Sequence, residues 1–183
     1  KAMLKFIKDR RCDVNANYFI NELAEASKKL GVLEAKISSY QFTSILVPMF
    51  HKKEAISSMY IEGTQTTISD VFENEVNPKS SDDKVMLEVN NHTRALIYGA
   101  EALKTENFSN HFMKKIHECM MSGILPNKMA SSLGKYKQKD NVIINSVGTI
   151  VFTPPSHTET IKYMDELITY MNNTNDGLNP LIK

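Results

Sequence analysis

The sequence predicts a mostly α-helical fold with a single β-hairpin. Apolar residues recur at three- and four-residue spacing along most of the 183-residue chain, the pattern of helices that bury one face. Gly, Ser, Thr and Asp fall where those stretches begin and end. One segment near residue 142 instead breaks into short β-prone runs on either side of a turn.

The first helix is expected from about Asn17 to Ile37, with Ile20, Leu23, Leu30, Leu33 and Ile37 as an apolar stripe; Gly31 weakens it without ending it. A second is expected over Thr43 to Ile61. It offers Ile45, Leu46, Met49, Phe50, Ile56 and Tyr60 for burial, tolerates Pro48 in its first turns, and has Gly63 as a left-handed stop. Thr67 and Asp70 have the spacing of a loose capping box for a short helix to about Glu75. Asn77 to Ser81 breaks the chain. A long helix from about Asp82 to Leu103 carries Val85, Val89, Ala95, Leu96 and Ala100, and Ser109 caps another that Ser122-Gly123 closes after Met121. Val142-Ile143-Ile144 and Thr149-Ile150-Val151-Phe152 flank Asn145-Ser146-Val147-Gly148, a hairpin signal. After Thr153-Pro154-Pro155-Ser156, a final helix from about Thr158 to Met171 shows Ile161, Met164, Leu167, Ile168 and Met171 at helical spacing.

The length suits one compact body, and 42% apolar with 23% charged residues is ordinary globular composition. A net charge of +1 and only three arginines, Arg10, Arg11 and Arg94, argue against nucleic acid as the main partner. Cys12 and Cys119 lack metal-site or redox spacing and read as reduced thiols. With no signal peptide and no apolar run long enough to span a bilayer, a cytoplasmic protein without a membrane partner is expected.

Ser58 and Glu62 are four residues apart and share a helix face, and Gly63 follows the carboxylate. A carboxylate in a last turn opposes the helix dipole by about 0.3–1 kcal/mol when exposed, so it gains from a nearby cation. On chemistry alone, a solvated glutamate before a capping glycine is the commoner outcome. The other titratable candidates are weaker. His111 and His117 do not share a helix face, and no metal ligand set is read from them with Cys119. Glu73, Glu75, Asp82, Asp83 and Glu88 read as a solvated acidic surface, and methionines 120, 121, 164 and 171 as core filler.

The run from Lys53-Glu54-Ala55 through Ser57-Ser58 to Ile61-Glu62-Gly63-Thr64-Gln65-Thr66-Thr67 resembles, without a gap, a signature of Fic-type proteins. Gly134-Lys135-Tyr136-Lys137 resembles that family's Gly-x-(Phe/Tyr)-Arg segment, with lysine in place of arginine. Phe152-Thr153-Pro154-Pro155 resembles its Phe-x-Pro-Pro, Met164 to Leu167 its Met-x-x-Leu helix, and Asn179 to Lys183 the start of the helix before its catalytic loop. The resemblance covers about residues 17 to 183.

The resemblance implies a helical Fic-like bundle organised as a single domain. Residues 1–133 would hold the inhibitory helix, and 134–183 the flap hairpin and the start of the Fic core. It implies that the parent protein is an adenylyltransferase that moves AMP from ATP to a hydroxyl side chain of a target protein. Glu62 would be the auto-inhibitory residue that pairs with an arginine of the active-site loop and keeps ATP from binding productively; Ser58 and Gly63 would be its companions in the motif. Val142, Ile143, Ile144, Ile150, Val151 and Phe152 would form the flap that aligns the target backbone. By spacing alone, an ordinary hairpin covering the core is as good a reading.

The family's catalytic stretch, His-Pro-Phe-x-Asp-Gly-Asn-Gly-Arg, does not occur in these residues, so no catalytic or metal-binding residue is assigned. That stretch is expected beyond Lys183. ATP and magnesium are implied for the complete protein, with no tight binding of either to this chain, which is expected to be inactive alone. A homodimer is left open. The alternative is a non-catalytic helical module that inhibits or scaffolds a partner.

Overall fold

A computed structural model describes residues 18–40, 43–61, 63–77, 84–175, 177 and 179–182, of 43 and 44 the backbone alone. The chain divides into two compact units, Lys1–Ser44 with Asn173–Lys183, and Ile45–Asn172.

In the first unit, α1 spans Ile20–Ser39 and ends where the Tyr40 N–H donates to the Ile37 carbonyl. It buries no side chain; Ile20, Leu30, Leu33 and Ile37 all stay exposed. The remaining described pieces of that unit are too short to cover a 20-residue helix.

In the second unit, α2 (Thr43–Ile61, of which Ile45 onward belongs here), α3 (Ile68–Val76) and α4 (Lys84–Ala102) each give one side chain to a small core: Ala55, Val71 and Val89 are fully enclosed, with Ile56, Met59 and Met86 packed around them. Lys52 of α2 reaches across to pair with Glu75 of α3 and sets its ammonium 5.2 Å from the Phe72 ring centre. The sequence-based expectation for α2 needs correction here. Ile45, Leu46, Met49, Phe50 and Tyr60 are exposed, and of the residues offered for burial only Ile56 reaches the core. The apolar residues of this helix do not gather on one face, so periodicity did not say which side faces inward; the enclosed core around Ala55 takes in only its second half.

The capping box of α3 forms as its spacing implied. The Thr67 hydroxyl accepts from the Asp70 N–H at 3.2 Å while the Thr67 N–H donates to Asp70 Oδ2 at 2.8 Å. Helix α4 packs on α5 (Asn110–Met121), which the Ser109 hydroxyl caps by accepting the Phe112 N–H at 3.0 Å. Gly99 permits their close approach: a Cβ there would lie 3.2 Å from Ile116 Cδ1 and 3.6 Å from Phe112 Cζ. Phe112 is buried between Phe108 and Tyr98, whose ring centres lie 4.9 and 6.3 Å away. Asn91, with no exposed surface, donates to the Met120 and Ser122 carbonyls at 3.1 and 2.7 Å, satisfying oxygens that the end of α5 leaves free.

A short 3₁₀ helix, Asn127–Ser132, follows Pro126; its tighter turn carries none of the 3.6-residue periodicity that marks the other helices. The chain then forms β1 (Ile143–Ile144) and β2 (Ile150–Phe152), an antiparallel pair in register Ile143 to Phe152 and Ile144 to Ile150, with an irregularity between. Val142, expected in the strand, precedes it. Helix α6 (His157–Asn172) begins at a second box: the Ser156 hydroxyl accepts from the Glu159 N–H at 3.2 Å and Glu159 Oε2 from the Ser156 N–H at 3.0 Å. Its far end is tied to the start of α5 by Asn172, which exchanges hydrogen bonds with the Phe108 carbonyl and N–H at 2.7 and 3.1 Å. The described residues are thus mostly α with one two-stranded hairpin. Among them no helix is long and apolar enough to cross a membrane.

Candidate functional site

The first candidate is the end of α2. Gly63 adopts φ of +96°, its N–H donates to the Tyr60 carbonyl at 3.0 Å, and the Thr64 N–H donates to the Met59 carbonyl at 3.2 Å. This pair of crossed bonds is the Schellman closure, which a left-handed glycine allows and which stops the helix sharply. A Cβ on Gly63 would meet nothing within 4 Å, so backbone conformation and not crowding calls for glycine there. Ser58 lies on the helix and is half-buried, while Tyr60 and Ile61 project into solvent. Glu62 lies outside the described residues.

The last turn of α2 contains no basic residue, so the negative end of its dipole is not neutralised within the helix. Lys52 is engaged by Glu75, and Arg94, the one arginine among the described residues, donates to Asn91 Oδ1.

The second candidate is the hairpin. Every residue from Asn141 to Thr153 is exposed, Val142, Ile143, Ile144, Ile150, Val151 and Phe152 among them. The ribbon presents apolar side chains outward and covers no core. Its turn is held by Asn145, whose side-chain oxygen accepts from the Val147 and Thr149 N–H groups at 3.2 and 2.9 Å, with Gly148 at φ of +85°.

Residues 134–137 lead from the 3₁₀ helix toward the hairpin. Gly134 is buried at φ of +67° and donates its N–H to His117 Nδ1 at 3.0 Å. That bond makes His117 a packed helix residue with Nδ1 as acceptor. The Tyr136 hydroxyl donates to Asn110 Oδ1 at 2.7 Å, and the Asn110 amide in turn donates to Asp165 of α6. Burial and then the Asp165 charge push the Tyr136 hydroxyl above its ordinary pKa, which keeps it a donor. Lys137 donates to Asn141 Oδ1 at 2.7 Å and to the Pro155 carbonyl. Asp140 accepts from the His157 N–H at 2.7 Å and contacts His157 Nδ1 at 2.9 Å, bonds that draw its carboxyl below the usual range.

The described residues are thus mostly α-helical, with a glycine-closed helix end at Gly63 and a surface hairpin as the two exposed features. Residues 20–101 match the family model described as Fic/DOC family N-terminal, so over that stretch the chain is similar to the N-terminal portion of Fic-type proteins. The match runs from the start of α1 into the last turn of α4 and includes Ser58, Glu62 and Gly63; the hairpin follows it. No curated protein matches the chain.

The structure gives each candidate its own support, α2 on α3 and α4, and the hairpin on residues 137–141 and 155–157. Sequence reasoning missed Asn110, Asp140 and His157. The Ser156-x-x-Glu159 spacing was available as a capping signal. The Asp140 to His157 bond joins residues 17 apart with no helical relation, and no local pattern marks it.

Proposed function

We propose that the protein to which this chain belongs transfers AMP from ATP to a hydroxyl side chain of a target protein, and that Glu62 holds it off. The observation that carries this reading is the end of α2. Within the residues that match the Fic/DOC N-terminal model, a Schellman closure at Gly63 ends the helix just past the Ser58-x-x-x-Glu62 spacing, at a dipole end with no basic neighbour in its own turn. A glutamate beside that end gains strongly from a guanidinium, which meets a carboxylate in a two-bond fork. If the guanidinium is the one that should hold the ATP γ-phosphate, the carboxylate displaces the phosphate by occupying its partner.

Magnesium and ATP belong to the catalytic stretch in this reading. This chain supplies the inhibitory helix and, in Val142–Ile144 and Ile150–Phe152, exposed strands on which an extended target segment pairs by main-chain hydrogen bonds. A cytoplasmic setting with a protein substrate follows from the same reading.

In the protein that joins this chain to the catalytic stretch, Glu62→Gly should raise AMP transfer by at least tenfold, about 1.4 kcal/mol of released inhibition. Mass-spectrometric detection of AMP on target hydroxyls measures it. Unchanged transfer would remove Glu62 from the inhibitory role, and transfer of a different group would retain the switch but change the reaction.

A further inference from the structure

We propose that Lys137, Asp140 and His157 are positioning residues that set the orientation of the Ile143–Phe152 hairpin from its roots. The inference rests on the reading of that hairpin as the surface that aligns a target segment.

The ribbon has little means of holding itself. Its strands are two and three residues long, and an isolated two-stranded hairpin is at best marginally stable in water. None of its side chains is buried, so packing does not fix its direction. Its two legs are instead joined twice just below the strands. The half-buried Lys137 side chain donates forward to Asn141 on the incoming leg and across to the Pro155 carbonyl on the outgoing leg, 18 residues away. Three residues on, the Asp140 carboxylate takes the His157 N–H at 2.7 Å and the imidazole Nδ1 at 2.9 Å, fastening the incoming leg to the first residue of α6.

Both clasps use a charged partner, and such hydrogen bonds are shorter and stronger than neutral ones. They also differ in kind. Lysine brings a point charge with three donors, so one ammonium serves an amide oxygen and a carbonyl on different legs. The aspartate bond to Nδ1 instead orients a ring and, through the neighbouring backbone bond, fixes where α6 starts. Closing the chain at both places removes most of the swing available to a loop of this length.

Hydrogen exchange of the full chain, followed by mass spectrometry, tests the clasp without any target present. Lys137→Met should quicken exchange across residues 142–152 by about tenfold, the effect of losing one or two charge-assisted bonds. Exchange in α5 and the urea midpoint should stay as they were. Asp140→Ala should act in the same direction, and Lys137→Arg should retain protection. Unchanged hairpin exchange in Lys137→Met would overturn the proposal, as would equal acceleration in hairpin and α5, which would make Lys137 a general stability residue. In the protein carrying the catalytic stretch and Glu62→Gly, a loosened hairpin with undiminished target labelling would uphold the clasp and defeat the target-aligning reading.

Discussion

The α4–α5 pair and the hairpin lie in the same unit and are held by opposite means. Between α4 and α5, Phe112, Ala95 and Gly99 are buried and the one enclosed amide, Asn91, is fully bonded. In the hairpin every side chain is exposed, and the order comes from polar contacts at its base. A packed helix pair resists deformation because each atom has neighbours to lose. A clasped ribbon keeps its direction while its apolar face stays free, as a surface that receives another chain requires.

The largest effect that separates the two regions is expected at Asn91. Asn91→Ala would strand the Met120 and Ser122 carbonyls and free Arg94 from its partner, for a loss of about 2–4 kcal/mol. Urea unfolding followed by helical circular dichroism measures it; a loss below about 1 kcal/mol would mean that water takes over those oxygens and that the pair is not a closed interior.

Gly134 sits where the two regions meet, and Gly134→Ala should cost roughly 1–3 kcal/mol. Its positive φ disfavours a side chain, and a Cβ would stand 2.5 Å from Glu118 Oε1 and 2.7 Å from Glu118 Cγ. Glu118→Ala in the same chain should relieve the crowding but not the backbone strain, so partial recovery of the thermal midpoint is expected. Full recovery would assign the whole effect to the side chain. Glu118 is held below the ordinary carboxylate range by its hydrogen bond to Lys115 at 2.8 Å, so it stays charged at neutral pH.

The smallest effect is a pH dependence confined to the hairpin's base. Asp140 has a depressed pKa, chiefly through the His157 N–H and then the ring, so its contribution is present above the ordinary carboxylate value and is lost as pH falls through the folded value. Hairpin exchange, corrected for its intrinsic pH dependence, should therefore quicken below about pH 4, and Asp140→Asn should flatten that response. Equal acid sensitivity in α5 would erase the contrast between the regions.

Much of this was legible in the residues themselves, because caps and turns are local. Thr67 with Asp70, Ser109 with the Phe112 N–H, Gly63 at a helix end and the Asn145–Gly148 turn each bring their partners together within a few residues. The Ser58–Gly63 stretch stood out for the same reason. What escaped was any feature that depends on distant segments meeting. Apolar Ile45, Leu46, Met49 and Phe50 promised burial, yet the enclosed core takes in only the half of α2 around Ala55. Gly134 read as one residue of a motif; its buried, left-handed setting against Glu118 and His117 comes from α5.

The sequence by itself determined the mostly helical class, the hairpin, and the capped end of α2 that carries the Fic-type signature, since side-chain period and cap chemistry act over one or two turns. Tertiary structure alone decided which apolar faces are enclosed and how the hairpin is held. Burial depends on which helices arrive, and the Lys137–Pro155 and Asp140–His157 bonds exist only once the chain has folded back on itself.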